Sequence, residues 1–415
     1  MAFAQAGLAH LVLLGLAFLC GEERRRINWR LVMSAVALEI GLAVLLLYAP
    51  PARIALGYAN DAANALQRAT EAGTGFVFGY LGGGALPFTE TAPGAAYVIA
   101  FRALPMVLVI SALSSLLFHC RVLQKLTAGF SWILRRTLGI GGPLALSTSV
   151  NVFVGMVEAP LLIRPYLANM SRGELFAVMA GGLAGVAGTV MVIYASFLSA
   201  LVPDAMGHIL VVSVISMPAA LAVSAVMVPF DATEDAHATM TVENPASDWM
   251  DAIVRGTMDG IAPLAGIVAM LLVTVALVGL VNAMLGLLPD WGGAALSLQR
   301  LFALPLRPVM WLIGIPWAET SMAAGLMATK TVLNEFVAYR DMAALGDTLS
   351  PGSRVILTYA LCGFANFGSL GILVGGLAAM VPERRDEIVG LGLRAILAGT
   401  LATCMCGAVA GALLV

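Results

Sequence analysis

The chain has 415 residues, of which 60% are hydrophobic and 11% are charged, and its mean hydropathy is +0.95. A soluble protein of this length carries about a quarter charged residues, so the composition excludes a soluble domain with one anchor and predicts a polytopic membrane protein. The net charge of −2 comes with no basic region that would indicate a nucleic-acid partner. The five cysteines and four histidines lack the spacing of a disulfide framework or a metal site, so no cofactor is predicted.

Apolar stretches of about 20 residues, the length that crosses a bilayer, predict eight transmembrane helices. They lie at residues 3–20, 31–50, 95–118, 174–202, 207–229, 258–288, 354–380 and 388–415. Two more apolar stretches, 138–169 and 310–346, carry Pro, Gly and charge near their middle. We interpret these two as re-entrant helical hairpins, because irregular backbone at membrane depth is tolerated where it lines a protein cavity.

The connecting segments differ in polarity. Segment 51–94 is rich in Ala and Gly and predicts an outer loop with one short helix. Segment 119–137 is basic and amphipathic, which predicts a helix along the inner membrane surface, and segment 294–308 predicts its outer counterpart. Segment 231–251 is the most polar stretch and predicts a linker. Most of the basic residues fall in inner loops if both termini lie outside, which predicts an N-out, C-out topology.

These segments divide the chain into five predicted parts. Residues 1–137 form N-terminal scaffold helices and the inner amphipathic helix, and residues 138–229 form a first repeat of one hairpin and two spans. Residues 230–257 form a polar cytoplasmic linker, and residues 258–309 form a scaffold span with the outer amphipathic helix. Residues 310–415 form a second repeat of the same composition. The two repeats are predicted to be inverted relative to each other.

Two glutamates stand in apolar stretches at matching places of the two repeats, Glu158 in the first and Glu335 in the second. A carboxylate at membrane depth is costly and usually faces a cavity, an ion or a substrate. Each is followed along the chain by a Gly-rich break in a span, GGLAGVAGT at 181–189 and CGFANFGS at 362–369. This order predicts an inverted-repeat transporter whose site lies at the broken helices. The alternative is that the carboxylates pair with nearby cations, Arg164 and Lys330.

Four motifs resemble those of the concentrative nucleoside transporters: NVFVGMVEAP (151–160), RGELFAVMAGGLAGVAG (172–188), MATKTVLNEFVAY (327–339) and GFANFGS (363–369). The resemblance extends over nearly the whole chain. It implies an all-α fold of eight transmembrane helices and two re-entrant hairpins, assembled as a homotrimer in the bacterial cytoplasmic membrane. It also implies inward symport of nucleosides with sodium or protons, by an elevator-like motion of a transport domain against a scaffold.

The resemblance assigns substrate contacts to five residues. It places Glu158 at the first hairpin tip on the base side and Glu335 at the second tip near the ribose. It makes Asn366 and Ser369 ribose ligands and makes Phe364 an apolar wall against the base. Ordinary core packing is the alternative for Phe364.

The first hairpin tip departs from the family pattern. It reads Gly155-Met156-Val157-Glu158, whereas the family commonly has Gly-Gln-Thr/Ser-Glu. Met156 and Val157 offer only packing, and losing hydrogen bonds to a polar edge relaxes or redirects specificity. We therefore predict a more apolar base pocket, suited to a purine, a modified base or a ligand that is not a nucleoside.

The family's sodium site matches Asn151, the backbone oxygen of Val154 and the break at Gly185 and Val186. Gly185 stands where the family usually has a serine, so one oxygen ligand is lost. A proton bound by a carboxylate needs no such cage, and both coupling ions remain open at this point.

Three other readings complete the sequence analysis. A proton-coupled carrier of another small polar solute is the alternative function, and no metal spacing or activated serine supports an enzyme. Glu39 is predicted to be a packed or paired scaffold carboxylate. Glu319 is predicted to cap a helix or to pair across an interface.

Overall fold

The computed structural model describes residues 2–90, 96–156, 158–230, 246–290 and 293–415. Within these ranges the chain folds into α-helices and short 3-10 turns with no β-strand, which confirms the all-α prediction. The α-helices in chain order are α1 (Ala2–Leu19), α2 (Trp29–Tyr48), α3 (Pro50–Phe78), α4 (Ile99–Arg102), α5 (Met106–His119), α6 (Val122–Leu138), α7 (Gly142–Asn151), α8 (Glu158–Leu162), α9 (Arg164–Leu167), α10 (Arg172–Ala184), α11 (Gly188–Leu198), α12 (Ala205–Met227), α13 (Trp249–Leu285), α14 (Leu298–Leu312), α15 (Thr320–Val332), α16 (Glu335–Leu345), α17 (Pro351–Leu361), α18 (Phe367–Met380) and α19 (Arg385–Leu414).

Six continuous segments in the described part of the chain are long and apolar enough to cross a membrane. They are α1, α2, α4 with α5, α12, α13, and α19 with the turn before it. The other two predicted spans, 174–202 and 354–380, are each interrupted, as the sequence predicts: the first is divided into α10 and α11, and the second into α17 and α18. A polytopic membrane protein with two broken helices is therefore the architecture of this chain.

Local sequence accounts for both breaks. Ser171 and Glu174 form a reciprocal capping box that starts α10, and the helix ends where the backbone of Gly185 becomes extended. Ser350 caps α17, which ends at Leu361. Gly363 then adopts φ 149°, a region that favours glycine, and Asn366 caps α18. Each break thus combines a glycine with the end of one short helix and the start of another.

The prediction of a loop with one short helix at 51–94 is wrong. Residues Pro50–Phe78 form the 29-residue helix α3, which starts with proline at its first positions. The helix buries Ala63, Thr70 and Thr74, and Ala-rich sequence sustains a helix even at low hydrophobicity. Residues 91–94 lie outside the described residues.

The other connecting segments follow the predictions more closely. The amphipathic segments at 119–137 and 294–308 overlap α6 and α14, which extend to Leu138 and Leu312. The predicted linker, 231–251, has its first 15 residues, 231–245, outside the described part of the chain. Helix α13 begins before the predicted span, at Trp249, and its Asp248 cap accepts hydrogen bonds from the first turn.

Helix α13 packs on α5 through two glycines. An ideal Cβ on Gly256 would lie 2.6 Å from the Cβ of Ser115, and one on Gly260 would lie 2.9 Å from the Cβ of Ser111. Small residues spaced four apart let two backbones approach closely in a membrane. Large apolar side chains on the rest of α13, such as Leu272, are exposed. The α5–α13 pair therefore presents a broad apolar surface.

A buried acid–imidazole pair joins the first two helices. Glu39 of α2 is fully buried, and its Oε2 lies 3.5 Å from Nε2 of His10 in α1. Nδ1 of the His10 ring lies 2.8 Å from the carbonyl oxygen of Ala6. The prediction of a paired scaffold carboxylate is confirmed by this contact.

A second charged cluster ties the α1–α2 loop to the start of α10 and to α19. The carboxylate of Glu22 accepts two hydrogen bonds from Arg172, at 2.9 and 3.0 Å, and a further one from Arg394. Arg172 also pairs with Glu387 at 3.4 Å. A bidentate arginine–carboxylate pair gives this junction a defined geometry.

Acid should weaken this junction. The hydrogen bonds from Arg172 hold the pKa of the Glu22 carboxyl below its ordinary value. Its stabilising contribution is therefore complete above the ordinary glutamate pKa of about 4.3 and is lost as the pH falls through the lower folded-state value. We expect the melting temperature to fall more steeply below about pH 4 in the wild type than in Glu22→Gln. The corresponding difference in the free energy of unfolding is about 1 kcal/mol or less, because the ion pair is partly solvated. Parallel curves for the two proteins would contradict this assignment.

Candidate functional site

The two helix breaks touch each other through their backbones. The amide N–H of Phe364, in the second break, donates to the carbonyl oxygen of Gly185, in the first, at 3.2 Å. A Cβ on Gly363 would lie 2.7 Å from the carbonyl oxygen of Ala184, so only glycine permits this approach. The two short-helix ends therefore meet in the interior of the bundle, where their free backbone groups and caps are concentrated.

Glu335 joins the second hairpin tip to both broken helices. It is the first residue of α16 and is 5% exposed. Its Oε1 accepts a hydrogen bond of 2.6 Å from the hydroxyl of Tyr194, which lies on α11 after the first break. Its Oε2 accepts one of 2.9 Å from the side-chain amide of Asn366, which caps α18 after the second break. Both carboxylate oxygens thus have a neutral donor.

The predicted ribose ligands lie beside Glu335. Oδ1 of Asn366 accepts the backbone N–H of Ser369 at 2.7 Å, so the Asn366 side chain is engaged at both ends. The hydroxyl of Ser369, which is half-buried, makes no hydrogen bond within the described residues. Phe364 is half-buried and packs against the main core. The structure therefore brings Glu335, Asn366, Ser369 and Phe364 together around the second break.

Sequence reasoning missed Tyr194. Its ring is 1% exposed and packs against Tyr339, with centroids 5.1 Å apart. In the sequence, a tyrosine in an apolar span resembles an ordinary core residue. The hydrogen-bond partner of its hydroxyl, Glu335, is visible only once α11 is placed against α16. The available signal was its position in the first turns after the first break.

The proposed pairing of Glu335 with Lys330 is wrong. The ammonium of Lys330 donates instead to the carbonyl oxygen of Ala360 at 2.9 Å and to the hydroxyl of Thr403 at 3.0 Å. Helix α15 ends at Val332, so the lysine and the glutamate lie on different helices, and they make no direct ion pair within the described residues. Glu319 accepts hydrogen bonds from the backbone N–H and the hydroxyl of Ser350. It stands at the start of α15 without a side-chain cap hydrogen bond, so the capping alternative is wrong, and pairing across an interface stays a prediction.

Glu158 occupies a different environment at the first hairpin tip. It is the first residue of α8 and is exposed, and its carboxylate folds back over Gly155. In the part of the chain that is described, it makes no hydrogen bond or ion pair, and none with Arg164. The carboxylate is therefore free to bind a ligand or a proton.

Met156 is buried rather than open to the site. It is 8% exposed, and its Cβ lies 3.1 Å from an ideal Cβ on Gly182 of α10. A small cavity beside it is lined by Ser147, Thr148 and Asn151 of α7. Val157 lies outside the described residues. Met156 therefore holds the tip against α10.

The predicted sodium ligands are arranged around an amide nitrogen and a thioether. Nδ2 of Asn151 donates to the carbonyl oxygen of Gly181 at 2.9 Å and lies 3.7 Å from the sulfur of Met217. A Cβ on Gly185 would lie 2.5 Å from that nitrogen and 2.8 Å from Cε of Met217. Val186 is buried, and Val154 is half-buried with its N–H bonded to the oxygen of Val150. Sodium prefers oxygen ligands, whereas the side-chain groups nearest Gly185 are an amide nitrogen and a thioether methyl group; sodium binding at these residues stays a prediction.

The contact between the first break and the first tip leaves no room for a side chain at Gly188. A Cβ there would overlap the carbonyl oxygen of Phe153. We expect Gly188→Ala to destabilise the protein by about 1–3 kcal/mol, since backbone atoms must shift, and to slow uptake. The readouts are melting temperature and uptake rate in proteoliposomes. Gly371→Ala, which adds its methyl group in open space, is the control, and equal behaviour of the two variants would refute the expectation.

Two broken helices that meet inside a bundle of long apolar helices are typical of secondary transporters, in which such breaks bind substrate and ion. Comparison with known proteins identifies the family. Residues 8–81 and 208–411 match the models of the N-terminus and C-terminus of the Na+ dependent nucleoside transporters, and residues 100–201 match the nucleoside recognition model.

Similar proteins cover almost the whole chain. It is 34% identical to the nucleoside permease NupC of Helicobacter pylori, over 99% of this chain and 97% of that one. It is 34% identical to the sodium/nucleoside cotransporter 1 of Mus musculus, over 97% of this chain and 63% of that protein. It superimposes on CNTnw in an inward-facing substrate-bound state with a TM-score of 0.87 and 34% identity, covering 99% and 98% of the two chains. The chain belongs to the concentrative nucleoside transporter family, whose members are transporters and not enzymes.

Proposed function

We propose that this protein is an ion-coupled symporter that carries nucleosides into the cell across the bacterial cytoplasmic membrane. The observation that carries the proposal is Glu335, a buried carboxylate held by Tyr194 and Asn366 where the second hairpin tip meets both broken helices. A carboxylate at membrane depth is retained for a substrate or an ion. Family membership supplies the substrate class.

The substrate lies between the two hairpin tips. Glu335, Asn366 and Ser369 bind the ribose hydroxyls, for which the unpaired hydroxyl of Ser369 is already available. Phe364 packs against the base, and Glu158 accepts a base N–H. Gly155 and Met156 give the first tip its apolar character, and Met156 acts by packing the tip against α10. The contact predicted for Val157 stays a prediction.

We further propose the membrane arrangement predicted above: eight spans, two re-entrant hairpins, outer termini and an elevator-like movement of the repeats against the scaffold. A relative, CNTnw, has been solved in inward-facing, outward-facing and intermediate states, with TM-scores to this chain of 0.86–0.88. The broad apolar surface of the α5–α13 pair faces lipid and two other copies in a homotrimer. The five parts of the chain keep their predicted roles.

A proton is the coupling ion that the local geometry favours. The nitrogen of Asn151 and the side chain of Met217 crowd Gly185, where a serine hydroxyl would complete a sodium cage. Glu158 is exposed at the tip with a free carboxylate, whereas both oxygens of Glu335 already accept hydrogen bonds. Glu158 is therefore the carboxylate that we assign to proton coupling.

Counterflow in proteoliposomes tests the function. Vesicles loaded with unlabelled uridine or adenosine are expected to accumulate the labelled nucleoside, and protein-free vesicles are the control. A panel of competing solutes tests the alternative, a carrier of a modified nucleoside or another small polar solute, which the apolar residues Met156 and Val157 favour. Failure to transport any nucleoside would overturn the proposal.

The coupling ion has a separate test. Uptake is expected to persist in sodium-free buffer under an inward proton gradient, and Glu158→Gln should remove its dependence on pH. Gly185→Ser combined with Met217→Ala clears the crowded side chain and adds a hydroxyl, so this double variant should gain dependence on sodium. An absolute sodium requirement in the wild type would refute proton coupling.

A further inference from the structure

Lys330 is a buried cation that makes no direct ion pair within the described residues, and the carboxylate of Glu335 acts on it only through space. It lies in α15 and is fully buried, and across the described chain no ion pair includes it. Its ammonium donates to the carbonyl oxygen of Ala360 and to the hydroxyl of Thr403, which itself donates to the oxygen of Thr400. A buried charge without a counter-ion is expensive, so its neutral oxygen ligands must serve as its solvent.

The contacts of Lys330 repeat those of Asn151 in the first repeat. Asn151 lies in the last turn of α7, the first helix of its hairpin, and donates to Gly181 in the last turn of α10. Lys330 lies in the last turn of α15 and donates to Ala360 in the last turn of α17. Both contacts span 30 residues, and both α10 and α17 end at a break.

The second contact of each side chain, Asn151 and Lys330, completes the correspondence. Asn151 touches Met217, in the interior of α12, the helix that closes the first repeat. Lys330 touches Thr403, in the interior of α19, the helix that closes the second. The ammonium therefore occupies, in the second repeat, the place beside the break that the side-chain nitrogen of Asn151, a predicted ion-site residue, occupies in the first.

We propose that the ammonium of Lys330 is a built-in cation at a second, pseudo-symmetric cation site, bound permanently by the chain itself. Its ligands suit this role. Ala360 is at the carboxyl end of α17, where the helix dipole is negative and carbonyl groups lack helical partners. One hydroxyl and one carbonyl are oxygen ligands of the kind that alkali and ammonium ions bind.

The site has a consequence for the substrate carboxylate. Lys330 fixes the end of α15 to α17 and α19, and the chain then turns through Asn334 into Glu335. The charge thereby holds the second tip where Glu335 meets Tyr194 and Asn366. Lys330 is thus a positioning residue, an inference that rests on the proposed nucleoside site.

Chemical rescue tests the proposal. Lys330→Ala removes the ammonium and leaves a space, and we expect nucleoside affinity in purified protein to fall by about tenfold or more. Added methylammonium should fill the space and restore part of the affinity, whereas choline, which is too large, should not. Lys330→Met keeps the volume without the charge, so it should be weakened and should not respond to methylammonium.

A second measurement separates this proposal from the proposed function. The melting temperature of Lys330→Ala, taken without substrate, should rise with methylammonium concentration as expected for a ligand of the folded state, and that of the wild type and Lys330→Met should not. Wild-type failure to bind any nucleoside would overturn the function and leave this thermal test decisive for Lys330. The proposal of a built-in cation would be overturned if Lys330→Met had the nucleoside affinity and melting temperature of the wild type. It would also be overturned if choline rescued Lys330→Ala as well as methylammonium does.

Discussion

Nucleoside uptake is expected to fall by about 100-fold in Glu335→Gln, because one of the two hydrogen bonds to the carboxylate is lost and a hydrogen bond to a charged group contributes about 1.5–3 kcal/mol. Both oxygens of Glu335 accept, one from the Tyr194 hydroxyl and one from the Asn366 amide. A glutamine would keep one oxygen as an acceptor but would turn its NH2 group toward the other donor, so that NH2 group and that donor would be buried without a partner. The measurement is the initial rate of uptake in proteoliposomes, together with nucleoside affinity in detergent.

Matched variants separate the carboxylate's role from its packing. Tyr194→Phe removes only the hydrogen bond from the residue 194 hydroxyl to Glu335, so the rate of nucleoside uptake should fall by about tenfold. Glu319→Gln changes a carboxylate that binds Ser350 at the start of α17, away from both breaks, and should transport like the wild type. Uptake by Glu335→Gln within twofold of the wild type would exclude Glu335 from substrate binding.

The broken helices could be predicted from sequence because their cause is local. Glycines interrupt an apolar run at 181–189 and at 362–369, with Asn366 as a cap in the second, and both interruptions are present. The carboxylate at the second tip was recognisable for the same reason, since Glu335 stands alone among apolar neighbours. Features that depend only on residues close together in sequence can thus be predicted without knowing the fold.

The partners of these residues could not be predicted, because they come from distant parts of the chain. Glu335 and Lys330 are close in sequence, which favoured a pairing, but the helix end at Val332 separates them. The actual partner of Glu335, Tyr194, is 141 residues away. The prediction for residues 51–94 was wrong for a different reason. The Ala- and Gly-rich sequence of α3 has the low hydrophobicity of a loop, and hydrophobicity alone does not distinguish the two.

The largest stability effect outside the site is expected at the His10–Glu39 pair. Glu39 was predictable as a packed carboxylate, but its partner in α1 is visible only in the fold. Because Nδ1 of His10 faces the Ala6 carbonyl, the nitrogen that faces Glu39 is Nε2, and a proton on it makes an ion pair across 3.5 Å. Glu39 is 0% exposed, so its carboxylate is shielded from water.

His10→Ala should therefore destabilise the protein by about 3–5 kcal/mol, the range for a buried carboxylate that loses its counter-ion. Replacing both residues, as His10→Leu with Glu39→Met, should recover most of this loss, because apolar residues of similar volume need no counter-ion. Denaturant unfolding or melting temperature in one detergent measures all the variants. A double variant as unstable as His10→Ala would show that the histidine stabilises α1 by packing alone, and a loss below about 1 kcal/mol in His10→Ala would show that no charge is buried there.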